Sequence, residues 1–436
     1  MKGLIFTYLL TYGGSLAALF NPFVGFAIYV LFATLRPEFA WPWAVPPGNY
    51  SRTLAIAMLA GWALNGFGRW NLGRGAASIA ALVAYVFWAA LSASQAFDQL
   101  RAGIFLDQLW KITLPVVVGA SLVSSVGRLK ALAWVILLGH AYPCLEFNLD
   151  YLQGFNRLRF DGYASMDNNS YAISLVTSAG IGTFLSMYAE SRRERLLAIG
   201  SMALIGHSVL LSNSRGGMLG MIVVGLVSFA FMRKGWKEYS ALAAAIVLVV
   251  MFSGPEVRAR FSSTFADKEN RDASAESRLD LWAACWDTLL KNPLLGVGPD
   301  NMPLYMPEYG FPRGKEAHSL WFQLGAELGA PGVLFLLSFY MLTILRLLPL
   351  ARGAPTTDER LRLFARMVIA SLCGFVFSAQ FVSLEMLEPP YFVCLLGVGT
   401  LRLSTPGRRE PRARISRAPR RSPAWATIAP SGDQRP

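Results

Sequence analysis

The sequence predicts an all-α, polytopic membrane protein with about twelve transmembrane helices. Apolar stretches of near 20 residues recur along its 436 residues, and hydrophobic residues make up 54% of the chain against 15% charged. Crossing a hydrocarbon layer about 30 Å thick takes about 20 apolar residues of helix, so such stretches read as spans. Arginines and lysines gather in the short segments between them, as they do in loops retained in the cytoplasm.

Taken in order, the first stretch, 4–20, follows Met1-Lys2 and has the form of a signal peptide. A second begins at Phe23 and more follow, so the first reads as an uncleaved span. Stretch 23–35 is short for a crossing, and Asn21-Pro22 breaks the chain before it. Residues 1–35 therefore form either two full spans or one broken span, and we take the second reading, which leaves both chain ends cytoplasmic. Stretches at 53–68, 76–96, 104–125, 129–148, 169–189, 196–212, 216–232 and 239–253 complete a first bundle over 1–253. A large polar loop, 254–317, precedes a second bundle over 318–404, with stretches at 319–348, 363–384 and 389–403. The tail, 405–436, is rich in Arg, Pro and Ser, a composition that stays disordered.

Orientation follows from the basic loops. Arg69 and Arg74, Arg128 and Lys130, Arg192, Arg193 and Arg195, Arg233, Lys234 and Lys237, Arg352, Arg360 and Arg362, and the tail share one side if spans alternate. That side is the cytoplasm, and the 254–317 loop lies outside; its own basic residues do not object, because long loops escape the charge rule. The net charge of +13 sits in these clusters, not in a folded basic module, so nucleic acid is excluded as a partner and membrane lipid is the natural one. Four scattered cysteines with no C-x-x-C, and only three histidines, point to no disulfide framework, no metal centre and no bound cofactor.

Several polar residues border the spans. Ser277-Arg278-Leu279-Asp280 has capping-box spacing, and Leu279, Trp282, Cys285, Trp286 and Leu289 follow at helical steps up to Asn292-Pro293. Arg278 then falls in a first helical turn, where it adds to the positive helix end and suits a phosphate, or else is solvated or paired with Glu276 or Asp280. Ser214-Arg215-Gly216-Gly217 joins two spans almost without a loop; a charge bordering a span is functional by default, with snorkelling to headgroups as the alternative. His318-Ser319, nine residues, then Gly329-Ala-Pro-Gly332 places an imidazole where the polar loop meets a span. Glu327, two and a half turns on, faces away from it. Arg157, Arg159 and 167–169 lie in another outer loop, as sugar or phosphate ligands or as solvated surface. Glu385 and Glu388 are weaker candidates for a carboxylate in the His318 pocket. His140 and His207 read as packing residues within spans.

Together, Ser214-Arg-Gly-Gly217, Arg278-x-x-x-Trp282, Asn292-Pro-Leu-Leu-Gly-Val-Gly298 and His318-Ser-x9-Gly-x2-Gly332 resemble the bacterial O-antigen ligase and O-antigen polymerase superfamily over about 160–345. Leu35-Arg-Pro-Glu38 and the tryptophan-rich stretch after it resemble the exosortase-associated O-glycosylation ligases. The resemblance implies a GT-C-like glycosyltransferase of the bacterial inner membrane, with short helices in its periplasmic loop. It would move a glycan from undecaprenyl diphosphate to a lipid, glycan or protein acceptor without a metal. By motif position His318 is the implied essential histidine, and Arg215 and Arg278 the essential arginines. A polymerase of the same superfamily is the main alternative, and a flippase the more distant one, disfavoured by the absence of internal repeats.

Overall fold

The structure, a computed structural model, describes residues 1–232, 234–252, 273–353 and 358–405. The start of the polar loop, 254–272, and the expected disordered tail beyond Thr405 lie outside the described residues. The described residues are helical throughout, apart from turns and one isolated bridge between Tyr163 and Met166. Each predicted apolar stretch is a helix, and this is a polytopic membrane protein.

Nine helices among the described residues are long and apolar enough to cross a membrane: Lys2–Phe20, Pro22–Ala40, Gly73–Ala93, Gln99–Leu122, Val126–Leu152, Asn168–Tyr188, Arg192–Leu211, Leu320–Arg352 and Glu359–Phe381. Tyr50–Leu64, Arg215–Phe231, Trp236–Phe252 and Pro389–Ser404 have 15 to 17 residues. At 1.5 Å per residue each is about 23–26 Å long, a little under the hydrocarbon thickness. Tyr50–Leu64, Arg215–Phe231 and Pro389–Ser404 pack against the longer helices and belong to the same layer.

The first 35 residues correct an expectation. Asn21 is extended (φ −137°, ψ 90°) and Pro22 opens the next helix, so Lys2–Phe20 and Pro22–Leu35 form a hairpin. Its turn lies beside Asn65, whose side chain donates to the Leu19 carbonyl at 2.9 Å. At the other end Phe6 packs on Trp41, ring centroids 5.5 Å apart. The Lys2 end thus shares a face with the 36–51 loop instead of lying opposite it. Two antiparallel helices satisfy every backbone group internally, which a helix broken at mid-depth would not.

The opposite face gathers the basic loops. Arg346 donates to the Arg74 carbonyl (2.7 Å), Arg402 to those of Ala120, Ser121 and Val123, and Arg128 to that of Leu122 (2.6 Å). Those of Arg402 and Arg128 cap carbonyls at the C-terminal end of Gln99–Leu122, where the helix dipole is negative.

On the Trp41 face, the helix Leu320–Arg352 is interrupted at Gly329 (φ 70°, ψ −178°), a conformation open essentially to glycine alone. Residues 293–298 use the interruption. Val297 N–H donates to the Ala326 carbonyl and Gly298 N–H to that of Glu327, both at 2.9 Å, and Ala330 N–H returns to Pro293 (2.9 Å). A Cβ at Gly329 would overlap the Leu294 carbonyl, and one at Gly296 (φ 65°) would overlap Glu327. The two glycine motifs of the sequence are therefore the two halves of one backbone-to-backbone docking. Gly329→Ala should destabilise the protein by roughly 1–3 kcal/mol, from overpacking and backbone strain together. A clearly lowered Tm in detergent checks this, and an unchanged Tm would reject the docking as a stabilising contact.

Candidate active site

Two tight turns and one helix on this face carry the site. Arg215 opens the helix Arg215–Phe231, and Ser214 caps it by accepting from Gly217 N–H at 3.2 Å. The turn before it is held by Asn213 in the left-handed region (φ 55°) and by Ser214 N–H donating to Ser212 Oγ (3.1 Å). Asn168 donates to the Ser212 carbonyl at 2.7 Å, which fixes the turn against the next helix. Ser212, Asn213 and Ser214 are all buried.

Arg278 sits elsewhere than the capping box implies. Its helix begins at Ala273, so Ser277 is internal and Arg278 lies in the second turn. The run Ala273-Ser-Ala-Glu extends the helix backwards, because alanine favours helix more than serine favours a cap. The arginine at a helix N-terminus is Arg215, where unpaired N–H groups add to its charge. The buried stripe of Ala273–Lys291 also differs: Leu281, Ala284, Cys285 and Thr288 are covered, while Leu279 and Trp286 are exposed. Packing on Val297, Met302, Met306 and Ala317 selects that face.

His318 occupies the left-handed region (φ 51°), a strain of about 1–2 kcal/mol for a residue with a Cβ. Its neighbours hold it there. Ala317 N–H donates to Gln323 Oε1 (3.2 Å), and Trp282 Nε1 donates to the Ala317 carbonyl (3.1 Å). Trp282 also stacks on Phe322, centroids 5.3 Å apart at 13°. At about 0.5–1.5 kcal/mol net per hydrogen bond, these contacts offset the strain. Gln323 is itself fixed: Ser383 donates to its Oε1 at 2.5 Å, and its amide donates to Glu327 Oε1 at 3.2 Å. The fully buried Glu327 also accepts from Asp300 N–H at 2.9 Å. As the spacing implied, Glu327 does not touch the imidazole; it braces the glutamine that braces the His318 turn. Gln323 gave no signal in sequence, being one polar residue in an apolar run.

Arg215 and Arg278 line one small polar cavity, about 20 Å³, together with Asn169, Asn213, Ser214 and Phe381. A volume of that order holds one water. His318 lies within electrostatic reach of it. Burial first, then the Arg278 and Lys315 cations, push its imidazole below the ordinary value of 6.5, with Asp167 opposing. The neutral ring thus persists into mildly acidic solution.

The remaining predicted residues fall elsewhere. Arg157 is ion-paired to Asp150 (2.9 Å) and Glu146 (3.5 Å) and lies over the Phe147 ring, while Arg159 lies over Phe160. Neither lines the Arg215–Arg278 cavity. Glu385 and Glu388 line a second cavity beyond Val382, apart from His318. His140 is hydrogen-bonded to Ser174 and Ser178, and His207 to Asn148.

Because Arg278 disfavours imidazolium at His318, Arg278→Gln should raise the histidine pKa towards its ordinary value. Histidine NMR titration, with His318→Gln to assign the signal, checks the sign; a downward or absent shift would separate the two side chains.

No curated protein matches the chain. The family described as O-Antigen ligase matches residues 200–337, the stretch that holds Arg215, Arg278, His318 and both halves of the glycine docking. Over those residues the chain is similar to the O-antigen ligase family.

Proposed function

We propose that this protein transfers a glycan from an undecaprenyl-diphosphate donor to an acceptor hydroxyl at the periplasmic face of the bacterial inner membrane. The observation that carries the reading is the meeting of Arg215 and Arg278 at one cavity, with His318 in electrostatic reach of Arg278. Two guanidinium groups from distant parts of the chain line one cavity, an arrangement that suits a dianionic ligand. Planar, permanently charged guanidinium suits phosphate oxygens.

The chemistry follows. The acceptor oxygen attacks the anomeric carbon as the bond from that carbon to the diphosphate oxygen breaks, and the anomeric configuration inverts. The electron pair leaves with the diphosphate, whose growing charge Arg215 and Arg278 stabilise in fixed positions, so the reading requires no metal. His318 takes the proton from the attacking hydroxyl. A base must be unprotonated, and the burial and Arg278 charge that lower its pKa keep it so. In this reading the diphosphate sits at the rim of the small cavity, on the side from which a lipid-linked donor arrives.

His318→Ala should lower transfer by about 10²–10⁴-fold with the protein still folded, the range for loss of a general base. Arg215→Lys and Arg278→Lys should each lose roughly 10²-fold or more, nearly as much as the alanine variants, if paired hydrogen bonds to phosphate matter beyond charge. The assay incubates purified protein with a defined undecaprenyl-diphosphate glycan and candidate acceptors, with mass analysis of products. Near-normal turnover in His318→Ala removes it as the base, and ladders of repeats in place of single additions identify a polymerase.

A further inference from the structure

The segment 381–389 lines two cavities in succession. Phe381 and Val382 border the Arg215–Arg278 cavity, and residues 383–389 border a second, of about 220 Å³. That is about seven times the ~30 Å³ share of one water, room for a single sugar ring with its hydroxyls. The same succession recurs on the opposite wall, where Asn169 lines the first cavity and Met166 the second. The shared wall is tied to the His318 turn, since Ser383 donates to the glutamine oxygen that also accepts from Ala317 N–H.

The second cavity collects unsatisfied polar groups. Arg36 ends the helix Pro22–Leu35 in the left-handed region and donates to Glu388 Oε1 at 3.2 Å. Four enclosed side-chain nitrogen or oxygen atoms with no hydrogen-bond partner among the described residues belong to residues lining this cavity: Arg36 Nε, Tyr171 Oη, Glu385 Oε1 and Glu388 Oε2. Tyr171 is only 1% exposed. Each such group costs about 1–3 kcal/mol when left without a partner, so a concentration of them at one cavity marks a ligand. Donors and acceptors both line the walls, together with the Tyr163 and Tyr171 rings, a mixture that suits sugar hydroxyls. An anion is the wrong guest. Arg36 is already matched by Glu388. Burial, reinforced by Glu316 and Asp300 against one backbone hydrogen bond, holds the Glu385 carboxyl up to about 8; near neutral pH it both donates and accepts.

We propose that this cavity is a subsite for one neutral pyranose ring of the donor glycan or of the acceptor, held through its hydroxyls by Arg36, Tyr171, Glu385 and Glu388. The assignment rests on the glycan-transfer reading and adds the sugar class and the residues that select it.

The test uses the full-length protein with a neutral-hexose glycan on undecaprenyl diphosphate. Glu385→Gln and Tyr171→Phe should each raise KM for one of the two substrates about ten-fold, the loss of one or two hydrogen bonds to a buried group, while kcat changes little. Ala33→Leu, which fills the cavity and removes no polar group, should raise the same KM. A rise for the donor assigns the ring to the donor, and a rise for the acceptor assigns it to the acceptor. Unchanged KM values in all three variants, or a fall confined to kcat, overturn the subsite. Titration of the same donor and acceptor glycans into His318→Ala protein, with and without Glu385→Gln, reads binding without turnover. Affinity lost on adding Glu385→Gln supports the subsite even if His318 proves not to be the base, and affinity unchanged for both glycans removes it even if transfer is confirmed.

Discussion

Backbone N–H groups of residues 297 and 298 are satisfied by the Ala326 and Glu327 carbonyls of a neighbouring helix, the second of which faces Pro331 and has no N–H partner in its own next turn. The helix can release them because it is interrupted at Gly329, and it is interrupted without loss because Pro293 and Leu294 fit where a side chain would be. In a membrane protein irregular backbone survives only where another segment pairs with it. This exchange anchors the polar loop to the bundle. Through Asp300 N–H on Glu327, and Glu327 on Gln323, the anchor continues to the turn that holds His318.

The electrostatics of the site depend on that rigidity. Two guanidinium groups and an imidazole repel one another when all are charged, and a mobile loop would let them separate. Here Arg215 is set by a capped, buried turn, and Arg278 by a helix whose Trp282 binds the Ala317 carbonyl and stacks on Phe322. With the cations fixed, the imidazole yields its proton instead of moving away. A strained φ at His318, held by hydrogen bonds on both sides, belongs to the same design.

Much of this was legible in the chain. Helix positions, the basic face and the placement of His318 at a span boundary follow from periodicity, charge and hydropathy, because each depends on residues close in sequence. The misreadings have physical causes. Capping spacing at Ser277 was overridden by helix-forming residues before it, so the helix-end arginine is Arg215. The break at Asn21-Pro22 was real, but only the packing of Phe6 on Trp41 shows that the two helices beside it fold back as a hairpin. Arg157 reads from its loop as a ligand or as solvated surface, and only the structure shows Glu146 and Asp150, one turn apart on another helix, paired with it.

Sequence alone determined the membrane character, the helical layers and the residue types available for chemistry, since burying apolar side chains and keeping charge at the surface are properties of each segment by itself. Tertiary structure decided which of those residues meet. Arg215, Arg278 and His318 lie up to about a hundred positions apart, Arg36 and Glu388 over three hundred. Their convergence depends on helix packing and on a backbone docking between two glycine motifs, and neither leaves a local trace beyond the glycines themselves.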